Sequence, residues 1–118
     1  MGMRTVIALA MVLFALASAK SVVNTFDAPA GDISGLGWDS GSLWAVDAME
    51  KTVYRIDPSS GVVTSSFPTA VMSGYEATGL AVENSYVYVG AWDNGTNGYV
   101  YKYDFSGTYL GAVNMCGG

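Results

Sequence analysis

The sequence contains no histidine. Ser-His and Cys-His nucleophilic catalysis, His-ligated zinc and an imidazole pH switch are therefore excluded from the start. Cysteine is nearly absent as well. Cys116 is the only one, so no internal disulfide can staple the chain, and its place close to the C-terminal residue reads as an incidental thiol. Positive charge is scarce, with five Lys and Arg against ten Asp and Glu for a formal net charge of −5. Lys and Arg contacts to phosphate supply most nucleic-acid affinity, and polybasic segments supply most attraction to anionic lipid, so neither is an expected partner. An acidic balance chiefly favours solubility. Sustained 3.6-residue periodicity with helix caps is also missing after Ala19, which predicts essentially no helix.

What is present begins with an address. Met1 to Arg4 carry one positive charge, and Thr5 to Leu16 form an uncharged apolar run. Ala17-Ser18-Ala19 supplies the small-x-small pattern that signal peptidase accepts, predicting a leader over residues 1–19 and a cut before Lys20. The run is about a dozen residues where a membrane span needs about twenty. The expected location is extracytoplasmic, secreted or periplasmic, with no membrane association after cleavage.

The mature part, residues 20–118, is organised as a repeat. Gly35-Leu36-Gly37-Trp38-Asp39 returns 44 residues later as Gly79-Leu80-Ala81-Val82-Glu83. Leu43-Trp44-Ala45-Val46 returns as Val87-Tyr88-Val89-Gly90, and Val53-Tyr54-Arg55-Ile56-Asp57 as Val100-Tyr101-Lys102-Tyr103-Asp104. Residue class is kept rather than identity, as a packing repeat requires. A period of forty to fifty residues with four strands per unit predicts β-propeller blades. The first blade spans about residues 35–67, with strands at 35–38, 43–46, 52–56 and 62–67. The second spans about 79–113, with strands at 79–82, 86–90, 99–103 and 108–113. Each run is rich in Val, Tyr, Trp, Ile or Phe and bounded by Gly, Asp, Asn or Ser. Val22-Val23-Asn24-Thr25-Phe26 resembles the fourth strand of the first blade, which adds an orphan outer strand at 22–26. The expected fold class is all-β, a partial β-propeller of two four-stranded antiparallel blades plus one N-terminal outer strand. Trp38 and Trp44 fall on strands and are expected in the inter-blade core, whereas Trp92 lies past a strand end and is expected to be the exposed one of the three.

The succession Gly-Leu-x-Trp-Asp, Leu-Trp-x-x-Asp and Val-Tyr-x-Ile-Asp-Pro-x-x-Gly, over nearly all of Val22 to Val113, resembles the WD40-like and NHL-like blade repeat of exported bacterial propellers. Its relatives include the gluconolactonase and streptogramin-lyase group and the propeller-type glutaminyl cyclotransferases. Lyases of that group use histidine, which this chain lacks, and the lactonases draw metal ligands from more blades than two. The cyclotransferase resemblance implies an acidic residue at the channel. Glu76, placed on the loop before the Gly79-Leu80 strand, is the candidate for that role, against the plainer reading of a solvated loop carboxylate. Trp92 and Asp93 are the other candidate binding residues. Asp93, Asn97, Gly98 and Asp104 partly echo a calcium loop, but Gly95 offers no side-chain ligand. A hairpin lengthened by Gly and Asn is the better account, and no resident cofactor is expected, calcium being the one alternative.

Rings need about four to eight blades, and two isolated blades leave apolar faces and open strand edges. The expectation is a non-catalytic binding or scaffold fragment whose partners are further blades, from a continuation or from copies of the chain. The competing expectation is a fragment of a cyclotransferase-like propeller enzyme. Fold does not by itself decide between them.

Overall fold

The computed structural model describes residues 25–115. The leader, Val22 to Asn24 of the orphan strand and Cys116 lie outside the described residues. Among those described, secondary structure is entirely β, in eight strands: β1 (Ile33–Asp39), β2 (Ser42–Asp47), β3 (Thr52–Ile56), β4 (Val63–Pro68), β5 (Glu76–Glu83), β6 (Tyr86–Trp92), β7 (Gly98–Asp104) and β8 (Tyr109–Asn114). They form two four-stranded sheets, ordered β1-β2-β3-β4 and β5-β6-β7-β8, antiparallel throughout. Each is one blade of the repeat. Thr25 and Phe26 are not in a strand, so the orphan strand is not extended into the described part of the chain.

The repeat extends to the irregularities. Register slips between Ile33 and Gly35 in the first blade and between Ala77 and Gly79 in the second. It slips again between Arg55 and Ile56, and between Lys102 and Tyr103. Bulges at matching positions add twist at matching places, which lets one sheet lie over the other. Turn chemistry repeats too. Both β1–β2 and β5–β6 are two-residue hairpins with positive φ at both centres, Ser40 (53°) with Gly41 (74°) and Asn84 (52°) with Ser85 (68°). That is the type I′ geometry whose twist suits flanking strands and which favours Asn-Gly. Ser85 lacks glycine's freedom there, so Ser85→Gly is expected to raise stability by about 1 kcal/mol, read as a higher urea midpoint. An unchanged midpoint would show the turn to be unstrained.

The blades meet face to face, with β1 and β2 of the first against β5 of the second. Register puts Gly35, Gly37, Trp44, Val46, Val53, Arg55 and Phe67 on one face of the first blade. Leu80, Val82, Val87, Val89, Tyr101 and Tyr103 share the facing side of the second. Gly35 allows the closest approach: a Cβ there would stand 2.7 Å from Leu80 N and 2.9 Å from Gly79 Cα. Beyond it the rings interlock, with Trp44 and Phe105 centroids 4.8 Å apart and Phe67 and Tyr103 5.2 Å apart. The Arg55 guanidinium sits 5.1 Å from the Trp44 ring and 5.3 Å from Phe105, so one cation bridges an aromatic from each blade. Ser34 Oγ donates to Ala77 O at 2.7 Å, and Ala70 N donates to the Tyr103 hydroxyl at 2.7 Å. The seam is an aromatic and aliphatic core in which these polar groups are paired and the buried Trp44 Nε1 has no hydrogen-bond partner. A smaller contact carries the same logic one step outward. Phe67 covers Gly107 of the next blade, and Phe26 covers Gly61 in the same manner.

Trp44 is 1% exposed, as expected for the seam. Trp38 is not in the core: it is 60% exposed, more so than Trp92 at 42%. Its repeat counterpart Val82 does pack against the core. The position is a seam position on both blades, but the outer face of the first blade has no blade against it among the described residues.

Candidate functional site

Two places in the fold gather side chains beyond what the strands need: one end of the second blade, and its outer face.

At the end of the blade the three sequence candidates come together. Glu76 pairs in register with Trp92, and Asp93 follows directly. Glu76 does not lie on an inter-blade loop: it is the first residue of β5 and is half-buried. The bulge between Ala77 and Gly79 carries the strand further back than hydrophobicity indicated, because the ladder to β6 continues through Ala77 and Ala91. Trp92 is the last residue of β6 rather than a residue past it.

The Asp93 carboxylate is engaged within its own loop. It accepts from Gly95 N at 2.8 Å, Asn97 N at 3.1 Å and Asn97 Nδ2 at 3.1 Å. These bonds, the Asn97 side chain foremost, hold its pKa below the ordinary carboxylate value. Asp104 lies at the opposite end of β7 from this loop, roughly 20 Å away at about 3.3 Å per residue. Its carboxylate accepts from Ser106 N, Ser106 Oγ and Thr108 N at 3.0, 2.6 and 2.9 Å. The structure thus separates the first and last members of the calcium-loop pattern and engages each in a turn. No group of three or more Asp, Glu or Cys with metal-binding geometry occurs among the described residues.

Asp47 plays the corresponding part in the first blade, and it is the only buried charged side chain among those described, at 1% exposure. It accepts from Asp32 N at 2.9 Å, Met49 N at 2.9 Å and Glu50 N at 2.7 Å. Burial works against its charge, yet the three backbone donors outweigh it and its pKa is lowered. Asp57, with Ser59, repeats the turn arrangement of Asp104, and the pKa of each is lowered chiefly by the serine hydroxyl. Carboxylates whose folded pKa is depressed stabilise the fold above the unfolded value and lose that contribution as pH falls through the folded one. The urea midpoint is therefore expected to hold nearly level from pH 7 to about 5 and to drop below about pH 4. A midpoint unchanged down to pH 3 would contradict these assignments.

The outer face of the second blade is the other place. It carries a groove of about 300 Å³ lined by Tyr88, Val100, Lys102, Leu110, Gly111, Ala112 and Val113. Lys102 Nζ sits 4.0 Å from the Tyr86 ring centroid and 5.9 Å from that of Tyr88. Its aliphatic stem lies along the face while the ammonium caps the rings, as long cationic side chains do on apolar surfaces. Val113 is 62% exposed, although its repeat counterpart Phe67 is 8% exposed. This face was not singled out by residue type, because nothing in it is chemically unusual. The repeat alignment contains the signal: Tyr88, Val100 and Lys102 are the counterparts of Trp44, Val53 and Arg55, all of which lie on the seam.

No family model matches the sequence, and no curated protein matches it. Among solved structures it is similar to a europium-containing methanol dehydrogenase, at 21% identity and a TM-score of 0.56. The match covers 68% of this chain and 15% of the dehydrogenase, so this chain spans a small part of that protein's length. That protein is a β-propeller. The fold here is a partial β-propeller. At this identity the likeness concerns the blades alone, and the finer resemblance to NHL-like, gluconolactonase or cyclotransferase blades is not carried by it.

Proposed function

We propose that this chain is a non-catalytic scaffold component of an exported β-propeller and that what it binds is propeller blades. One observation carries this reading. The outer face of the second blade repeats most of the face that the first blade buries: Gly79 for Gly35, Tyr88 for Trp44, Val100 for Val53, Lys102 for Arg55 and Val113 for Phe67, with Ala81 and Gly90 in place of Gly37 and Val46. On the first blade every one of these positions serves the seam. A face of the same composition, left apolar and grooved, is a binding surface for another blade. The carboxylates at the blade ends agree with a scaffold role, since Asp47, Asp57, Asp93 and Asp104 each hold a turn rather than face a cleft. Export rests on the leader and its Ala-x-Ala cut before Lys20.

A covalent tandem of two copies, giving four consecutive blades, tests this reading. Covering the second blade in cis is expected to raise the urea midpoint well above that of the single chain held dilute enough to be monomeric. The tandem is also expected to leave a peptide with N-terminal glutamine uncyclised. Equal midpoints, or turnover of that peptide, would overturn the reading.

A further inference from the structure

We propose that the chain assembles with copies of itself, head to tail, into a closed ring of two to four chains, each interface reproducing the internal blade seam. The inference deepens the scaffold reading and rests on it, naming the partner as a second copy.

The chain carries both halves of one interface. Inside the molecule the seam is a knob and a slot. The Leu80 and Val82 side chains of the second blade sit over Gly37 of the first, and Gly35 lets the backbone at Gly79 and Leu80 approach closely. Leu36 and Trp38 are the counterparts of Leu80 and Val82, and they stand on the outer face of the first blade at 61% and 60% exposure. Gly79 is the counterpart of Gly35 on the outer face of the second blade, and a Cβ built there meets nothing within 4 Å. The knob is thus unpaired at one end of the molecule and the slot at the other. A second copy brings the backbone at its Gly35 and Leu36 over Gly79 and places its first blade against the groove beside Lys102, with the Leu36 and Trp38 side chains shifting to clear Ala81, which stands where the internal seam has Gly37. Ala45 and Ile56 on the same face as Leu36 are already buried, and Phe26 covers Gly61 where the incoming Val113 of the neighbouring copy would arrive, so Phe26 yields that place on assembly.

The two surfaces differ, so the contact is heterologous, and a heterologous contact either closes into a ring or runs on as a filament. Blade-on-blade rotation closes at about four to eight blades. With two blades per chain, that gives two to four copies.

The purified exported chain, run on size-exclusion chromatography with light scattering, is expected to elute as a discrete species of two to four copies. Leu36→Glu removes the knob and Gly79→Val fills the slot, and both positions are open to solvent in the single chain. Each variant alone is expected to be monomeric with an unchanged far-ultraviolet circular dichroism spectrum. Mixed in equal amounts they are expected to form a 1:1 heterodimer, since the Gly79→Val chain keeps a working knob and the Leu36→Glu chain a working slot. A monomeric wild-type chain, an open-ended polymer, an assembly that survives either substitution, or a mixture that stays monomeric would each overturn the proposal. A monomeric wild-type chain would leave the scaffold reading standing, because the tandem chain tests that independently.

Discussion

Asp47→Ala is expected to destabilise the fold by about 3 kcal/mol. The carboxylate is buried and accepts three backbone N–H groups, from Asp32, Met49 and Glu50. Alanine leaves all three part-buried donors without the carboxylate, at the lower end of the penalty for a lost acceptor, about 1 kcal/mol each. The three donors tie the lead-in to β1 and the turn after β2 into one unit. That unit then reaches the second blade, since Ala77 N donates to Ala48 O at 3.3 Å. The loss should therefore appear as a lower urea midpoint together with a weaker blade seam, seen as faster amide exchange at Ala77. Asp47→Asn separates charge from geometry, because one amide oxygen still accepts while the NH₂ faces a donor. Its effect is expected to fall between wild type and alanine. An alanine variant within about 0.5 kcal/mol of wild type would show that water replaces the carboxylate.

Gly35→Val is expected to cost about 3 kcal/mol, at the upper end of what overpacking a core does. The added Cβ meets Leu80 N and Gly79 Cα, which are backbone atoms of the facing strand and cannot rotate away. The blades must part or β1 must distort, and either opens the core around Trp44 and Phe67. The same substitution at Gly79 is expected to leave the fold of the single chain intact. Two glycines at the same point of the repeat thus differ in consequence because a blade covers one and not the other. Equal urea midpoints for Gly35→Val and wild type would show that the seam is looser than its geometry.

Much of the architecture was legible from residue order. Strand-forming runs bounded by Gly, Asp, Asn and Ser placed all eight strands within a residue or two at most ends. β3 was placed at both ends, whereas β5 began three residues earlier than the pattern suggested. The miss at Glu76 has a simple cause: a bulge lets a strand continue across residues whose pattern of apolar and polar side chains has already broken. The type I′ turns were legible as turns but not in their length, since positive φ at Ser85 is a backbone strain that residue type does not announce. Trp38 was misplaced for a different reason. The repeat identified a seam position correctly, but whether a neighbour fills that seam is a property of the assembled blades.

The Asp47 site shows the same division. Asp47 closes the Leu-Trp-x-x-Asp motif, so its place at the end of a strand was readable. Its role was not, because its partners Asp32 and Glu50 come from either side of a hairpin and meet only when β1 and β2 pair. Glu76, Trp92 and Asp93 were likewise chosen one at a time, and register alone placed them together at one blade end.

The sequence by itself determined the class of the fold: strand periods, turn residues and a 44-residue repeat are local chemistry, and they leave two blades as the only economical reading. The lack of histidine and the scarcity of basic residues, also fixed by composition, set aside histidine-based chemistry and made nucleic acid an unexpected partner. The tertiary structure decided which copies of a repeated position are buried. Residues at matching positions, Gly35 and Gly79, Val82 and Trp38, Phe67 and Val113, differ in burial because of what lies across from them. Burial is a relation between blades, so it appears only once one sheet has been laid against the next.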